Sequence, residues 1–251
     1  MSQIKITVLG SGGAFATMEQ GNSSFLVEHG ERKILIDCGM TVPYVLRDEM
    51  GIPLQSITDV IITHTHSDHS GGLELILHAC RWIGKCRPTV WASPRVHLEL
   101  TEALSVLCWE QNEIRNSPSE EHYIRSRVHQ GELASLAGLP LELKPVKHVG
   151  AMPATSVRLG PLFVSGDTEG PVGPSTVTDI RLVFHEAEIS PFASGVHCPI
   201  ADLETAYEHH PLKASTWIYH CPPQAVVEGT GFAGRLHKGQ TFTLGVNEDE
   251  P

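Results

Sequence analysis

Residues 63–72 read THTHSDHSGG and follow directly on the apolar run Val60-Ile61-Ile62. His64, His66, Asp68 and His69 therefore crowd into six positions. An extended strand would send alternate members to opposite faces, so the four converge only if the chain leaves its strand and enters an irregular turn. Ser70-Gly71-Gly72 supplies a segment able to bend sharply into a following helix. Imidazole and carboxylate together suit zinc or a neighbouring divalent metal, and a catalytic zinc commonly takes three protein ligands and leaves one position for water. A solvated loop, or a helix start capped by Asp68, would account for one histidine here but not for three.

Composition agrees with that reading and narrows it. The chain has 251 residues, 15 of them histidine, with a formal net charge of −11. The acidic balance repels polyanions at long range, so a large nucleic-acid partner would need a local basic patch. A small anion held by a metal carries no such requirement. No apolar run approaches the ~20 residues that span a bilayer, and MSQIKITVLG lacks a basic segment leading into an apolar signal core. The expected location is the cytoplasm, or the host cytoplasm for a viral chain. Cysteines 38, 80, 86, 108, 198 and 221 form no CxxC pair, which argues for reduced, mostly packing thiols.

Apolar and β-branched alternation marks a strand in IKITVLG before the turn GSGGAF, and two strands in SSFLVEHGERKILIDCG joined at His29-Gly30-Glu31. A short helix fits 42–50, TDVIITH is a buried strand delivering the histidine motif, and GGLELILHACRWIG has helical spacing. PTVWAS is a strand and 94–109 a helix. QNEIRNSPSEEHYIRSRVHQGE, about 110–132, has few large apolar residues and reads as a polar surface insertion. Beyond it, LELKPVKHVG, ATSVRLGPLFVSGDT and DIRLVFHEAE each read as strand, turn and loop, DLETAYEHHP as a helix and STWIYHC as a strand. Strands in hairpins, then strands alternating with helices, twice over, predict an α+β fold of two mixed sheets packed face to face and flanked by helices, an αββα sandwich. We read residues 1–251 as one domain.

HTHSDH resembles the HxHxDH signature of the metallo-β-lactamase fold, and the later motifs follow in the order of that family: LIDCG with Asp37, His148 in KHVG, Asp167 in SGDT and His220 in IYHC. The resemblance implies two divalent metal ions, zinc by default, with manganese or iron able to accept the same set. It places His64, His66 and His148 on one ion, Asp68, His69 and His220 on the other, and Asp167 between them. Asp37 is implied to hold the HxHxDH loop by hydrogen bonds and so to orient the imidazoles. Two metals about 3.5–4 Å apart make hydrolysis the expected chemistry, with Asp68 among the catalytic groups.

The substrate is narrowed by FHEAEISPFASGVHCPIADL, residues 184–203. It is similar to a segment of RNase Z and related phosphodiesterases in which HEA precedes a histidine at the start of a helix, which makes Glu186 and His197 the matching catalytic pair. A phosphodiester needs its departing alkoxide protonated, and a carboxylate-oriented histidine suits that task. Alternatively, His197 is a neighbour of a helix cap and Glu186 a surface residue. No basic arm for gripping tRNA is found, so a small cyclic nucleotide is expected over tRNA 3' processing, with a lactone or thioester as the other alternative. Within the branch the chain resembles the anti-Pycsar phosphodiesterases, which destroy cyclic pyrimidine mononucleotide signals. That resemblance implies a homodimer in which a loop near His122-Tyr123 approaches the partner's site. Phe15, Tyr123, Phe192 and Phe232 are candidates to stack on a base or to pack in the core; Ser11, Asn22 and Ser23 contact substrate or close turns. His185, beside Glu186, should point to the opposite side of its strand, and His209-His210 should favour a helix C-terminus.

Overall fold

The computed structural model describes residues 2–107, 124–129, 132–174, 177, 179–190 and 194–246. The first sheet contains β1 (Ser2–Gly10), β2 (Ser24–His29), β3 (Arg32–Ile36), β4 (Asp59–Ile61), β5 (Thr89–Ala92) and β6 (Ile124–Arg127). The second contains β7 (Ala134–Leu136), β8 (Leu139–Val146), β9 (Ala154–Leu159), β10 (Leu162–Val164), β11 (Leu182–Glu186), β12 (Thr216–Tyr219) and β13 (Gly234–Arg235). A last strand, β14 (Thr241–Val246), returns to the first sheet and pairs antiparallel with β1. The orders are β14-β1-β2-β3-β4-β5-β6 and β13-β12-β11-β10-β9-β8-β7.

The two sheets follow one plan. β1 to β3 and β7 to β10 pair antiparallel, while β3 to β6 and β10 to β13 run parallel. Parallel neighbours point their C-terminal ends at a common edge, and in open α/β sheets that edge is where ligands collect. The tight β2–β3 turn uses Gly30 at φ 56°, as the sequence requires of a residue in left-handed space.

Strand alternation explains the layers. Ile34 and Ile36 of β3 face the second sheet, in a core shared with Ile4, Ile6, Phe25, Leu141, Val157 and Phe184. Leu35 points the other way, with Val60 and Ile62, onto Val42, Leu46, Leu73, Ile76 and Val96. Both faces of these strands are buried, which is why their sequences are nearly continuous apolar runs. Phe25 bridges the sheets, its ring 4.8 Å from Phe184 and edge-on to Tyr219 at 5.4 Å. Helices, including Pro94–Leu107 and Ile200–Ala206, cover the outer faces. This is the expected αββα sandwich.

Three local expectations need correction. Ile124–Arg127, counted above within the polar insertion, is an edge strand parallel to β5. Edge strands tolerate charged residues because one side of the backbone has no partner strand. Residues 108–123 and 130–131 lie outside the described residues. The helix expected through His210 ends earlier, at Ala206, with Tyr207 as its C-cap. His209 and His210 thus stand beyond its last turn, and His210 instead packs on the Tyr207 ring at 4.5 Å and accepts the Leu212 N–H through Nδ1. β14 was not expected, although partly buried Phe242, Leu244 and Val246 alternate as a half-buried strand should.

Asp59 anchors the start of β4. Fully buried, it accepts hydrogen bonds from Arg32 Nε (2.9 Å) and Nη2 (2.6 Å), Thr58 Oγ1 (2.7 Å) and Trp91 Nε1 (3.0 Å). Removing the carboxylate strands donors on three residues. Asp59→Ala should lower unfolding stability in urea by about 2–3 kcal/mol.

Candidate metal centre and catalytic cavity

Every residue singled out by the histidine motif and its partners lies beyond a strand end at the same edge. Asp37 follows β3, His64 to His69 follow β4, His148 follows β8, Asp167 follows β10, and His220 follows β12 directly. Asp37 and His220 both adopt φ 60°, unusual for non-glycine residues and costly unless the surroundings enforce it. For Asp37 the enforcing bonds are visible. Oδ1 accepts the Thr63 N–H at 2.8 Å, and Oδ2 accepts the Thr63 hydroxyl and His69 Nδ1–H, each at 2.8 Å. The backbone adds Cys38 N–H to His69 O at 2.6 Å and Gly72 N–H to Cys38 O at 2.8 Å. Gly39 must be glycine for this approach, since a Cβ there would stand 2.1 Å from Asp68 O.

The outer hydrogen bonds fix which ring nitrogens face inward. The Thr63 hydroxyl donates to Asp37, so it accepts from His64 Nδ1 at 3.0 Å. His148 Nδ1–H donates to Val196 O at 2.8 Å, and His69 Nδ1–H to Asp37. Each of these rings therefore turns an Nε2 lone pair toward the same small volume. Lone pairs cannot satisfy one another, so the arrangement calls for a cation.

The inward atoms form two overlapping groups. In the first, His64 Nε2 and His148 Nε2 lie 3.1 and 3.3 Å from His66 Nδ1, and both are 3.9 Å from Asp167 Oδ2. In the second, Asp68 Oδ2 lies 3.5 Å from His69 Nε2 and 3.3 Å from His220 Nε2. Asp167 reaches this group too, with Oδ1 3.3 Å from His69 Nε2 and Oδ2 3.3 Å from His220 Nε2. Ligand atoms about 2.0–2.1 Å from a tetrahedral zinc would sit roughly 3.3 Å apart. Among the described residues, His69 Nε2 and Asp167 Oδ1 are buried without a hydrogen-bond partner. The cluster fits a metal site of the expected kind.

Charge balance says the same. Burial disfavours charge on His69, yet Asp167 and Asp37 outweigh it and push its pKa well above the ordinary value. Burial also opposes ionisation of Asp167, but His220 and His69 hold its carboxyl well below the usual range. His64, by contrast, is pushed well down by burial and by neighbouring His69, which leaves it a neutral donor. The centre is built to hold positive charge between its carboxylates.

Glu186 and His197 meet beside the cluster, as expected. His197 Nδ1 lies 3.3 Å from Glu186 Oε1 and 3.9 Å from Asp167 Oδ2, and its ring is 4.7 Å from His220. Glu186 is fully buried, not a surface residue; its Oε1 also accepts the Thr168 and Cys198 N–H groups at 2.9 and 3.2 Å. Burial raises the pKa of Glu186; for His197 burial works against charge, but the hydrogen bond it donates to Glu186 outweighs it and favours the protonated ring. Two supports were not foreseen. Ser165 Oγ accepts the Glu186 N–H at 2.9 Å and bonds Gly166 O at 2.7 Å, and Thr63 couples Asp37 to His64. Thr63 stands next to the motif and was open to notice, whereas a lone buried serine carries no pattern.

A cavity of about 620 Å³ opens over the cluster, lined by His66, His148, Asp167, His197 and His220, with Phe15 and Val149 also on its wall. Of the aromatic candidates, Phe232 is buried with Tyr207 and Leu203 and packs in the core. Tyr123 and Phe192 lie outside the described residues. Asn22 and Ser23 close turns: Asn22 Nδ2 donates to Gly13 O at 3.0 Å and its Oδ1 accepts the Thr41 N–H at 3.1 Å, while Ser23 Oγ donates to Gly12 O at 3.0 Å. Ser11 is also buried, and its carbonyl accepts the His220 N–H at 2.8 Å. His185 points away from the cluster, as expected, accepting the Val172 N–H through Nε2 at 3.1 Å and meeting the Tyr207 ring edge-on.

Known proteins share this fold and sequence. A family model described as "Anti-Pycsar protein Apyc1" matches residues 4–242. Anti-Pycsar protein Apyc1 of Saccharibacillus brassicae is 30% identical over 254 residues, 96% of this chain and 100% of the relative. That of Bacillus phage vB_BveM-Goe7 is 47% identical over 238 residues, 86% of this chain and 87% of the relative. Among solved structures, the metallo-β-lactamase fold protein YhfI from Bacillus subtilis aligns with a TM-score of 0.72 at 14% identity, covering 96% of this chain and 99% of that one. Human tRNase Z, short form, aligns with a TM-score of 0.67 at 17% identity over 95% of this chain and 98% of that one. The sandwich is the metallo-β-lactamase fold.

Asp37→Ala removes the acceptor that aims His69 Nε2 inward, so metal affinity should fall about 10–100-fold, measured by competition with a chelating dye. His185 gives a separate, pH-dependent outcome. Burial lowers its pKa to about 4, so the folded protein binds fewer protons there than the unfolded chain. Its contribution to stability is complete above the ordinary value near 6.5 and is lost as pH falls from there toward 4. The urea midpoint of His185→Gln should fall less steeply across that interval than that of the wild-type protein.

Proposed function

This chain belongs to the anti-Pycsar Apyc1 family, and on that premise we propose that it is a dinuclear metal phosphodiesterase that opens 3',5'-cyclic mononucleotides, such as cyclic CMP or UMP, to nucleoside monophosphates. The observation that carries the reading is the Glu186–His197 pair standing 3.3 Å apart at the wall of a cavity whose floor is the His/Asp cluster. A metal cluster alone serves many hydrolases; a carboxylate-held imidazole beside it suits an ester whose leaving oxygen needs a proton.

In this reading His64, His66, His148 and Asp167 would hold one ion, and Asp68, His69 and His220, with Asp167 3.3 Å from the last two, would hold the other. Two divalent ions held there, zinc by default, would lower the pKa of a water and offset the negative charge of the phosphate. The protein's own groups do the rest. Asp37, through Thr63 and His69, keeps the inward nitrogens aimed. Glu186 Oε1 anchors Nδ1 of His197, which leaves Nε2–H as the proton source for the departing ribose oxygen. The N–H groups of Thr168 and Cys198 hold the Glu186 carboxylate in place.

Metal-loaded protein should hydrolyse cyclic mononucleotides and bis(p-nitrophenyl) phosphate, lose that activity to a chelator and regain it on metal addition. His197→Ala should slow phosphodiester turnover about 10²–10³-fold with metal content unchanged by elemental analysis. Hydrolysis of a lactone panel with no phosphodiesterase activity would overturn the reading.

A further inference from the structure

The turn Ser11–Ala16 is braced from several sides. Asn22 and Ser23 bond the carbonyls of Gly13 and Gly12, Ala16 N–H donates to Gly13 O at 3.0 Å, and Gly12 N–H donates to Gly21 O at 2.9 Å. The turn lies directly on the site: a Cβ at Gly13 would meet His220 Cε1 at 2.7 Å. On this ordered turn stands Phe15, the most exposed large apolar side chain among the described residues, at 101%. Phe15 nevertheless lines the cavity over the cluster, where Val149, itself 40% exposed, also contributes to the wall. An aromatic ring with no packing partner, on a braced loop beside the polar His/Asp cluster, is placed to receive a flat apolar surface from the ligand. A nucleobase attached to that phosphate through a ribose offers such a surface, and its π-face stacks on an aromatic ring whatever its edge pattern.

We propose that Phe15 is the platform on which the substrate's nucleobase stacks, so that the loop Ser11–Ala16 determines how strongly a nucleotide is held in preference to a bare cyclic ester. This rests on the phosphodiesterase reading above. The phosphate is engaged at the cluster, and the base lies toward the loop that follows β1. Phe15 acts on binding and touches no proton or reacting atom, so its effect belongs in KM.

The test compares 3',5'-cyclic CMP with the base-free ester 1-O-methylribose 3',5'-cyclic phosphate, using wild-type protein, Phe15→Ala and Phe15→Trp. The ratio of kcat/KM for nucleotide over base-free ester should fall about tenfold in Phe15→Ala, through KM, and recover in Phe15→Trp. Because the side chain is fully exposed, neither variant should unfold the protein. A wild-type enzyme that turns over the nucleotide, with the ratio unchanged in Phe15→Ala or not recovered in Phe15→Trp, would overturn the stacking role alone. No nucleotide turnover by the metal-loaded wild type would overturn the phosphodiesterase reading, and the stacking role with it.

Discussion

One carboxylate ties together the edge on which the whole site is built. Asp37 leaves β3 in left-handed space and fixes both the first residue of the histidine loop, through Thr63, and its last ligand-type residue, His69. Burying that carboxylate is expensive; desolvation pushes its pKa up, and the bonds from His69 and Thr63 offset this only in part. The cost is met because the loop has only one short helical turn, Ser67–Ser70, of its own to hold it. A segment that must aim three imidazoles at one point cannot rely on a helix or strand ladder, so its geometry comes from a neighbouring strand end. Gly39 and Gly72, pressed against Asp68 O and Gly39 O, show how closely the two segments are laced.

From that edge follows the division of the centre. His64, His66 and His148 approach Asp167 from the side of β4 and β8, and Asp68, His69 and His220 from the side of β4 and β12. Among the described residues Asp167 stands near both sets, because β10 ends between the segments that supply them. The outer hydrogen bonds leave Nε2 lone pairs of His64, His69 and His148 turned toward one carboxylate, that of Asp167. Such a cluster is unfavourable without positive charge, which makes cation binding and the stability of this edge one property.

The sequence conveyed this site well because its chemistry is concentrated in rare residue types at rigid spacing. Three histidines and an aspartate in six positions have few structural explanations, and His148, Asp167 and His220 each closed an apolar strand. Glu186 was less legible, since a glutamate after a strand is usually solvated; its burial emerges only when Ser165, Thr168 and Cys198 are seen around it. Where single side chains meet partners far along the chain, pattern reading failed. Phe232 was open to stacking on a base or packing in the core, and only its place beside Tyr207 and Leu203 settles it as core. Ile124–Arg127 lay within a polar stretch, and only its pairing with β5 makes it a strand. The helix before His209 was overextended because its polar tail carries no apolar period to mark an end.

The glycine-rich turn after β1 joins two requirements that pull in opposite directions. Near Gly13 the chain must come so close to His220 that no side chain fits, while two residues later it presents the most exposed large apolar side chain among the described residues. Bonds from Asn22 and Ser23 hold the turn without involving any inward-facing atom of the His/Asp cluster. Its link to the centre is a backbone bond, Ser11 O to His220 N–H, so the side chain at position 15 can change without displacing His220. Recognition of the base and assembly of the cluster therefore rest on different atoms of one short loop. A substitution at Phe15 alters which ligands are held, whereas one at Gly13 forces the His220 ring aside and changes the centre itself.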